Sequence, residues 1–389
     1  MKKLLSVLLA LCVILSTSLT AFAANKPSSE KVWQQVEGAT AYLTEGVETY
    51  GVDSAITFAP LAFSGSDVEK YSDAFIADVK ANLERNNGKI VSAYGESLAT
   101  YGAVIAALVG LGEDPADFYG FNIEKAFLAL DPTEPCAIPS YYRYITLGVL
   151  LCEDETTAAT FMEKVCDTYI SNYYTMGKGA NYYGYSCDNT ANFVEAIAFA
   201  SYYTDKYTDV LNDAVKVINT TYKVEGGYCY SPEYGTEPNA NSTALALSAN
   251  ISWPGEDIAD IDTYYDFLNG IYADLCTFEG SSAGIFTYDG EDNKLATQDA
   301  LPALSDFYII AIAQEDGSDP DPDDSEDPTV PAAKPTVTDK KDTTKSSTAA
   351  KTNTSKKSPA TGASAGVIAL SAAITCAGFT VVCAKKKEQ

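Results

Sequence analysis

The run Gly226-Gly227-Tyr228-Cys229-Tyr230, continued at Pro238-Asn239-Ala240-Asn241-Ser242-Thr243-Ala244-Leu245-Ala246-Leu247, decides how this chain is organised. Two glycines followed by aromatics make a tight turn. The Asn/Ser/Thr cluster then supplies side-chain oxygens to the unsatisfied amides of a following Ala- and Leu-rich helix. The same approach recurs on either side, as Gly184-Tyr185-Ser186-Cys187-Asp188-Asn189-Thr190 and as Gly284-Ile285-Phe286-Thr287-Tyr288 running on to Thr297.

Working outward, six segments open on a hydroxyl residue, at Ser54, Ser97, Ser140, Thr190, Thr243 and Thr297, at intervals of 43 to 54 residues. Six positions further on stand Pro60, Ala103, Thr146, Ala196, Ala249 and Ala303, small or constrained residues suited to closely packed helices. Between the starts lie second amphipathic stretches over 68–83, 122–130, 157–173, 207–218 and 261–276. One helix and a turn need only about 20 to 25 residues, so each unit is a helix pair. Helix pairs at this period build an open solenoid or a closed ring, and the period alone does not choose between them.

The Gly-Gly-Tyr-Cys-Tyr loop and the Asn-Ala-Asn-Ser-Thr helix start resemble the repeats of the α/α-toroid superfamily. That superfamily holds the terpenoid cyclases, protein prenyltransferase β subunits, thioester domains and the cobalamin-binding relatives of intrinsic factor. The likeness spans about residues 30 to 313 and is strongest in the last three repeats. It implies an all-α domain over 24–314, with six inner helices running parallel inside six outer ones and closed into a toroid.

The family's chemistries are mostly absent. The chain has no histidine, which removes Ser-His-Asp and Cys-His relays and the zinc set of the prenyltransferases. The one match to the cyclase Asp-x-Asp-Asp is Asp321-Pro322-Asp323-Asp324, in a tract too polar to form a pocket, and no Cys-Gly-Glu-Gln occurs. No metal site is expected. Asp289-Gly290-Glu291-Asp292-Asn293 is faintly like a calcium loop but lacks the ligand spacing and the terminal Glu, so an ordinary acidic turn is the simpler expectation.

There remains a ring with a lined mouth. The candidate ligand contacts are Tyr141, Tyr142, Tyr183, Tyr185, Tyr228 and Tyr230, which offer a flat face and a hydroxyl, together with Asp188, Glu195 and Asn241 at inner-helix starts. Glu96 and Asp299 are further cavity carboxylates. The same tyrosines could instead plug the channel, and acids suit the first turn of any helix. These features point to a non-catalytic module that binds a ligand or partner. The alternatives are capture of a corrinoid, as the intrinsic-factor relatives achieve, and a carboxylate/Tyr enzyme acting on a polysaccharide or terpenoid. No cofactor is required, although a corrinoid or calcium would suit two of these readings.

Both ends of the chain read as addresses. Residues 1–23 show Lys2 and Lys3, an apolar run and Ala21-Phe22-Ala23, the order of a secretory signal peptide with cleavage after Ala23. Residues 315–357 are acidic and then rich in Ser, Thr, Lys and Pro, a disordered tether. In 358–389, Ser358-Pro359-Ala360-Thr361-Gly362 is followed by an apolar span over 363–384 and by Lys385-Lys386-Lys387. That span would make roughly 33 Å of helix at about 1.5 Å per residue, enough to cross a bilayer. The arrangement resembles the Leu-Pro-x-Thr-Gly cell-wall sorting signal of Gram-positive surface proteins. It implies cleavage after Thr361 by a sortase and attachment to peptidoglycan, with Ser358 in place of the usual Leu. Until sorted, the chain would be held in the membrane by that C-terminal helix.

The formal charge is −27, and residues 25–314 carry 42 acidic against 14 basic residues, so the acidity belongs to the domain. Such a surface repels phosphate, which argues against nucleic acid as a partner. Six cysteines, Cys136, Cys152, Cys166, Cys187, Cys229 and Cys276, fall in the domain, an even number that permits bridges but equally suits buried thiols.

Overall fold

The alternation of helix starts and amphipathic stretches becomes a series of helix pairs in the computed structural model, which describes residues 26–174, 186–256, 258 and 260–316. Ala23, Tyr183, Tyr185, Ser358, Pro359, Thr361, Gly362, the apolar span 363–384 and the tether from residue 317 on lie outside the described residues. Among the described residues the chain is predominantly helical. No helix there is long and apolar enough to cross a membrane.

Six helices take alternate places in the series: α1 (Ser29–Thr44), α3 (Glu69–Arg85), α5 (Ile123–Leu128), α7 (Glu155–Tyr169), α9 (Thr208–Val217) and α11 (Ile261–Cys276). Interleaved with them are α2 (Ala55–Phe63), α4 (Leu98–Gly110), α6 (Tyr142–Leu150), α8 (Cys187–Ala198), α10 (Ala240–Ser252) and α12 (Lys294–Asp316). The first set is amphipathic and buries one stripe, as Tyr71, Phe75, Val79 and Leu83 do in α3. The second set is more deeply buried: every residue from Leu98 to Leu108 of α4 and from Ala240 to Ile251 of α10 is buried. A helix buried on every side is surrounded by others, and this set forms the inner layer.

The inner helices pack in chain order, α2 on α4, α4 on α6, α6 on α8, α8 on α10 and α10 on α12, and α12 touches α2 and lies along α1. Small residues set how closely they approach. A Cβ on Gly102 of α4 would lie 2.0 Å from the Tyr144 carbonyl oxygen of α6, and one on Gly148 would lie 2.4 Å from the Gly102 Cα. The first helix is fixed to the last ones by polar contacts as well. Ser29 donates its N–H (2.7 Å) and hydroxyl (2.5 Å) to the Glu315 carboxylate, and the Tyr272 hydroxyl donates to Gln35 Oε1 at 2.6 Å. The Glu315 contact explains why α12 continues two residues past the expected domain boundary at 314.

The repeat is visible in hydrogen bonds. Ser97, Ser186, Asn239 and Asn293 each accept the amide of the third residue on, as N-caps do. Thr190, Thr243 and Thr297 therefore sit one turn inside their helices, whereas Ser97 is the cap itself. Two of these threonines tie their helix to the extended segment before it: Tyr228 N–H donates to Thr243 Oγ1 and Phe286 N–H to Thr297 Oγ1, both at 3.0 Å. Those segments carry the strands. β1 (Lys223–Val224), β2 (Gly227–Ser231) and β3 (Gly235–Pro238) form one antiparallel sheet, and β4 (Thr287–Tyr288) pairs with β5 (Glu291–Asp292). In the second hairpin Asp289 (φ 53°) and Gly290 (φ 81°) make the two-residue turn, the geometry that favours Asp-Gly. The Asp292 carboxylate accepts from the Ser281 N–H and hydroxyl, so this acidic turn is a braced hairpin. Cys152, Cys166, Cys187 and Cys229 are buried free thiols, and Cys276 is a half-buried one.

Candidate functional site

Three successive inner helices break their apolar pattern in the same way. Asp188 and Glu195 in α8, Asn241 and Ser248 in α10, and Asp299 and Asp306 in α12 are pairs seven residues apart, which two helical turns place on one face. These faces meet. Ser242 Oγ donates to Asp188 Oδ1 at 2.6 Å, and Asn241 Nδ2 donates to Asp299 Oδ2 at 2.7 Å, so the first members of the pairs form a linked polar tier. Glu195 and Asp306 form a second tier beside Arg143 of α6, whose Nη1 lies 2.8 Å from Glu195 Oε2.

A cavity of about 80 Å³ opens at this second tier. Five inner helices or their ends reach it, through Pro60, Tyr144, Phe199, Ser252 and Asp306 among others, and α4 does not. Pro60 and Pro302, both inside helices, are in its wall. The Arg143 guanidinium lies over the Tyr144 ring, 5.6 Å from its centroid.

The electrostatics follow from burying many acids around one cation. Burial raises Asp306 to about 7; Arg143 opposes the rise and Glu195 adds to it. Burial likewise raises Asp299 to about 7, against the Asn241 hydrogen bond and with the help of Asp188, and raises Asp188 to about 6 against the Ser242 hydrogen bond. Glu195 is shifted upward by burial in spite of Arg143. Burial also works against the charge of Arg143, but the facing Glu195, Tyr144, Asp306 and Asp299 more than restore it. Near neutral pH the site therefore holds one fixed positive charge and several carboxyl groups balanced between their two protonation states, the condition for acid/base work or for responsive binding.

With that arrangement in view, the fold is similar to that of a solved polysaccharide lyase, at a TM-score of 0.50 and 12% sequence identity, over 75% of this chain and 98% of that one. At this identity the likeness concerns the fold. No protein-family model matches the chain, and no curated protein matches it.

The residues singled out from the sequence fall into separate places. Asp188, Glu195 and Asn241 belong to the two polar tiers. Tyr141 lies edge-on to the wall residue Tyr144, with ring centroids 6.3 Å apart, and does not itself line the cavity. Tyr142 and Tyr228 are corrected to core positions. Tyr142 is 1% exposed and stacked on Tyr169 at 4.0 Å, and its hydroxyl receives the Cys136 N–H. Tyr228 is fully buried, with its hydroxyl donating to Asn219 Oδ1 at 2.8 Å. Both rings are spent on packing the helix layers together. Tyr230 is 39% exposed and lies near Tyr234 on the surface hairpin. Glu96 stands apart from the cavity, paired with Lys89 at 2.9 Å and accepting the Tyr101 hydroxyl.

Sequence reasoning missed Arg143, Tyr144 and Asp306. The signal that would have found Asp306 is the seven-residue spacing of polar residues within otherwise apolar inner helices. Among the described residues no group of three or more Cys, Asp or Glu is close enough to share a metal ion.

Proposed function

We propose that the chain is an exported surface protein whose inner helices close through α12, α1 and α2 into an α/α toroid, and whose ring centre binds a hydroxylated ligand of the saccharide class without transforming it. The observation that carries this reading is the carboxyl-lined cavity on which five of the six inner helices converge. A concave site with apolar walls and a few convergent polar groups is the usual form of a small-ligand site. Acceptor carboxyls, an Arg and the rings of Tyr144 and Tyr308 suit hydroxyl groups and the flat faces of sugar rings. The polysaccharide lyase of similar fold is in keeping with that ligand class. The acidity of the chain and of the cavity disfavours polyanions such as uronate or phosphate polymers.

A second reading, acid/base cleavage of a saccharide, is favoured by the raised Asp299 and Asp306, since a carboxyl kept protonated near neutrality can donate to a leaving group. One experiment separates the two. The full chain is incubated with a panel of neutral and charged oligosaccharides while binding is followed by calorimetry and product formation by new reducing ends or unsaturated sugars. Binding without product supports the module. Product formation abolished by Asp306→Asn supports the enzyme. Neither binding nor product would sink both.

The address signals complete the proposal. Export through 1–23, retention by 363–384 and transfer to peptidoglycan at Thr361 place the domain outside the cell on a tether. Cell fractionation tests this: the wild-type chain is expected in the wall fraction, and Thr361→Ala is expected to leave it in the membrane. Full-length protein recovered mainly from the cytosol would refute the location.

A further inference from the structure

The central cavity is short of positive charge. Asp188, Glu195, Asp299 and Asp306 interact with one another across α8 and α12, and Arg143 is the one cationic side chain in the cavity wall among the described residues. Its guanidinium is already committed to Glu195 at 2.8 Å. That contact engages Glu195 Oε2 as an ion pair and the Ser248 hydroxyl favours the charged form, yet Glu195 Oε1 has no hydrogen-bond donor of good geometry among the described residues. The Glu195 side chain is 4% exposed and borders the cavity. Buried carboxylate oxygens without a donor are rare and costly, and this one has its open acceptor capacity beside a cavity.

The chemistry of the wall restricts what could supply the donors. A cavity of about 80 Å³ has room for an ammonium group with water beside it. A bare metal ion suits it less well. The carboxyl groups are spread around the wall rather than gathered within one coordination sphere. An alkylammonium is larger, makes directed hydrogen bonds to separated acceptors, and can have its carbon skeleton lie against the apolar part of the wall, where Phe63, Phe199 and Tyr308 stand.

We propose that the ring centre recognises an amino sugar: its primary ammonium enters the cavity and donates to Glu195 and Asp306, while its ring stays at the mouth against Tyr308 and Phe63. This deepens the saccharide-binding reading above and rests on it. Binding replaces a missing donor at Glu195 and brings a second cation to a cluster that has only Arg143.

The test is calorimetry of the full chain at about 150 mM salt, where attraction between exposed charges is largely screened. Three probes are compared: the β-1,4 dimer of glucosamine, its di-N-acetylated counterpart, and cellobiose. The glucosamine dimer is expected to bind at least about tenfold more tightly than the other two, since a charge-assisted hydrogen bond inside a protein is roughly twice as strong as a neutral one. Asp306→Asn and Glu195→Gln, each checked for retained helicity by circular dichroism, are both expected to remove most of that preference. Equal binding of all three probes overturns the amine inference and leaves the saccharide site standing. Preference for the glucosamine dimer that survives both substitutions assigns the effect to the acidic exterior and also overturns it. Failure of all three probes to bind removes the saccharide reading and this inference together.

Discussion

The contact of α4 with α6 and the contact of α8 with α12 through α10 are built from the same inner layer, yet they solve opposite problems. On the first side Gly102 and Gly148 bring backbones together, and α6 turns its one charge, Arg143, toward Glu195 of α8. On the second side the helices keep the same apolar packing but give up one polar pair each, Asp188/Glu195, Asn241/Ser248 and Asp299/Asp306. A packed apolar seam is the default for an inner helix, so the polar pairs are costs that packing alone does not require. The first side holds the scaffold, and the second side holds the chemistry.

The sharpest way to break this comparison is to remove the cation. Arg143→Met leaves Glu195 buried beside uncompensated carboxyls, and a loss of about 3 to 5 kcal/mol in urea unfolding is expected near pH 7.5. The loss is expected to shrink toward pH 5, because burial already shifts the Glu195 carboxyl upward and losing Arg143 shifts it further, and Arg143→Met with Glu195→Gln is expected to recover most of it. An equal loss at both pH values with no recovery would mean that Arg143 acts by packing alone.

Next in size is the scaffold side. Gly102→Ala puts a Cβ 2.0 Å from a backbone oxygen that cannot move aside cheaply, and a loss of about 1 to 3 kcal/mol or more is expected, independent of pH. Gly270 in α11 is the matched control, because nothing lies within 4 Å of its Cβ position. Gly270→Ala is expected to stabilise the domain by about 0.5 to 1 kcal/mol through helix propensity.

The chemical side also predicts a direction with pH. Asp188 at about 6 and Asp299 and Asp306 at about 7 lie above the ordinary carboxyl value of about 3.9 that they regain on unfolding. Between about pH 4 and 7 the folded state binds more protons, so their contribution is fully present below about pH 4 and is lost as pH rises through 6 to 7. Thermal midpoints are therefore expected to be higher at pH 5 than at pH 8. Asp306→Asn is expected to narrow that gap mainly by raising the midpoint at pH 8. A midpoint that rises with pH would show that these carboxyls are ionised at little cost. The smallest effect is expected at Tyr230, exposed on its hairpin, where Tyr230→Ala should change stability by less than about 0.5 kcal/mol.

Much of the scaffold was legible in the sequence because it is repeated. The stretches expected at 68–83, 122–130, 157–173, 207–218 and 261–276 correspond to α3, α5, α7, α9 and α11 within a few residues. In the early repeats Ser54 and Ser97 stand directly before their helices, but in the last two Thr243 and Thr297 bond to the preceding segments and the caps are Asn239 and Asn293. Helix α1 escaped notice because its partners, α11 and α12, lie at the other end of the chain. The site was half legible. Asp188, Glu195 and Asn241 are polar residues in apolar surroundings, which a sequence shows directly. Tyr142 and Tyr228 were chosen for their chemistry, and only packing reveals that their rings are enclosed. Arg143 stands in an aromatic run in the sequence, and its meaning depends on Glu195 of α8, which only the fold brings to it.

The bond between Ser29 and Glu315 spans 286 positions in sequence. Such a contact cannot form until nearly the whole domain is present, so the start of α1 waits for α12, whereas its end can already be held by Ser66 and by Tyr71, whose hydroxyl donates to the Thr44 carbonyl. Its apolar stripe, Val32, Val36 and Ala39, waits exposed during that interval. Late-forming contacts of this kind slow folding and leave intermediates prone to association. The last step of folding is then the docking of the first helix, and a chain truncated before α12 would fold its middle repeats and strand its beginning.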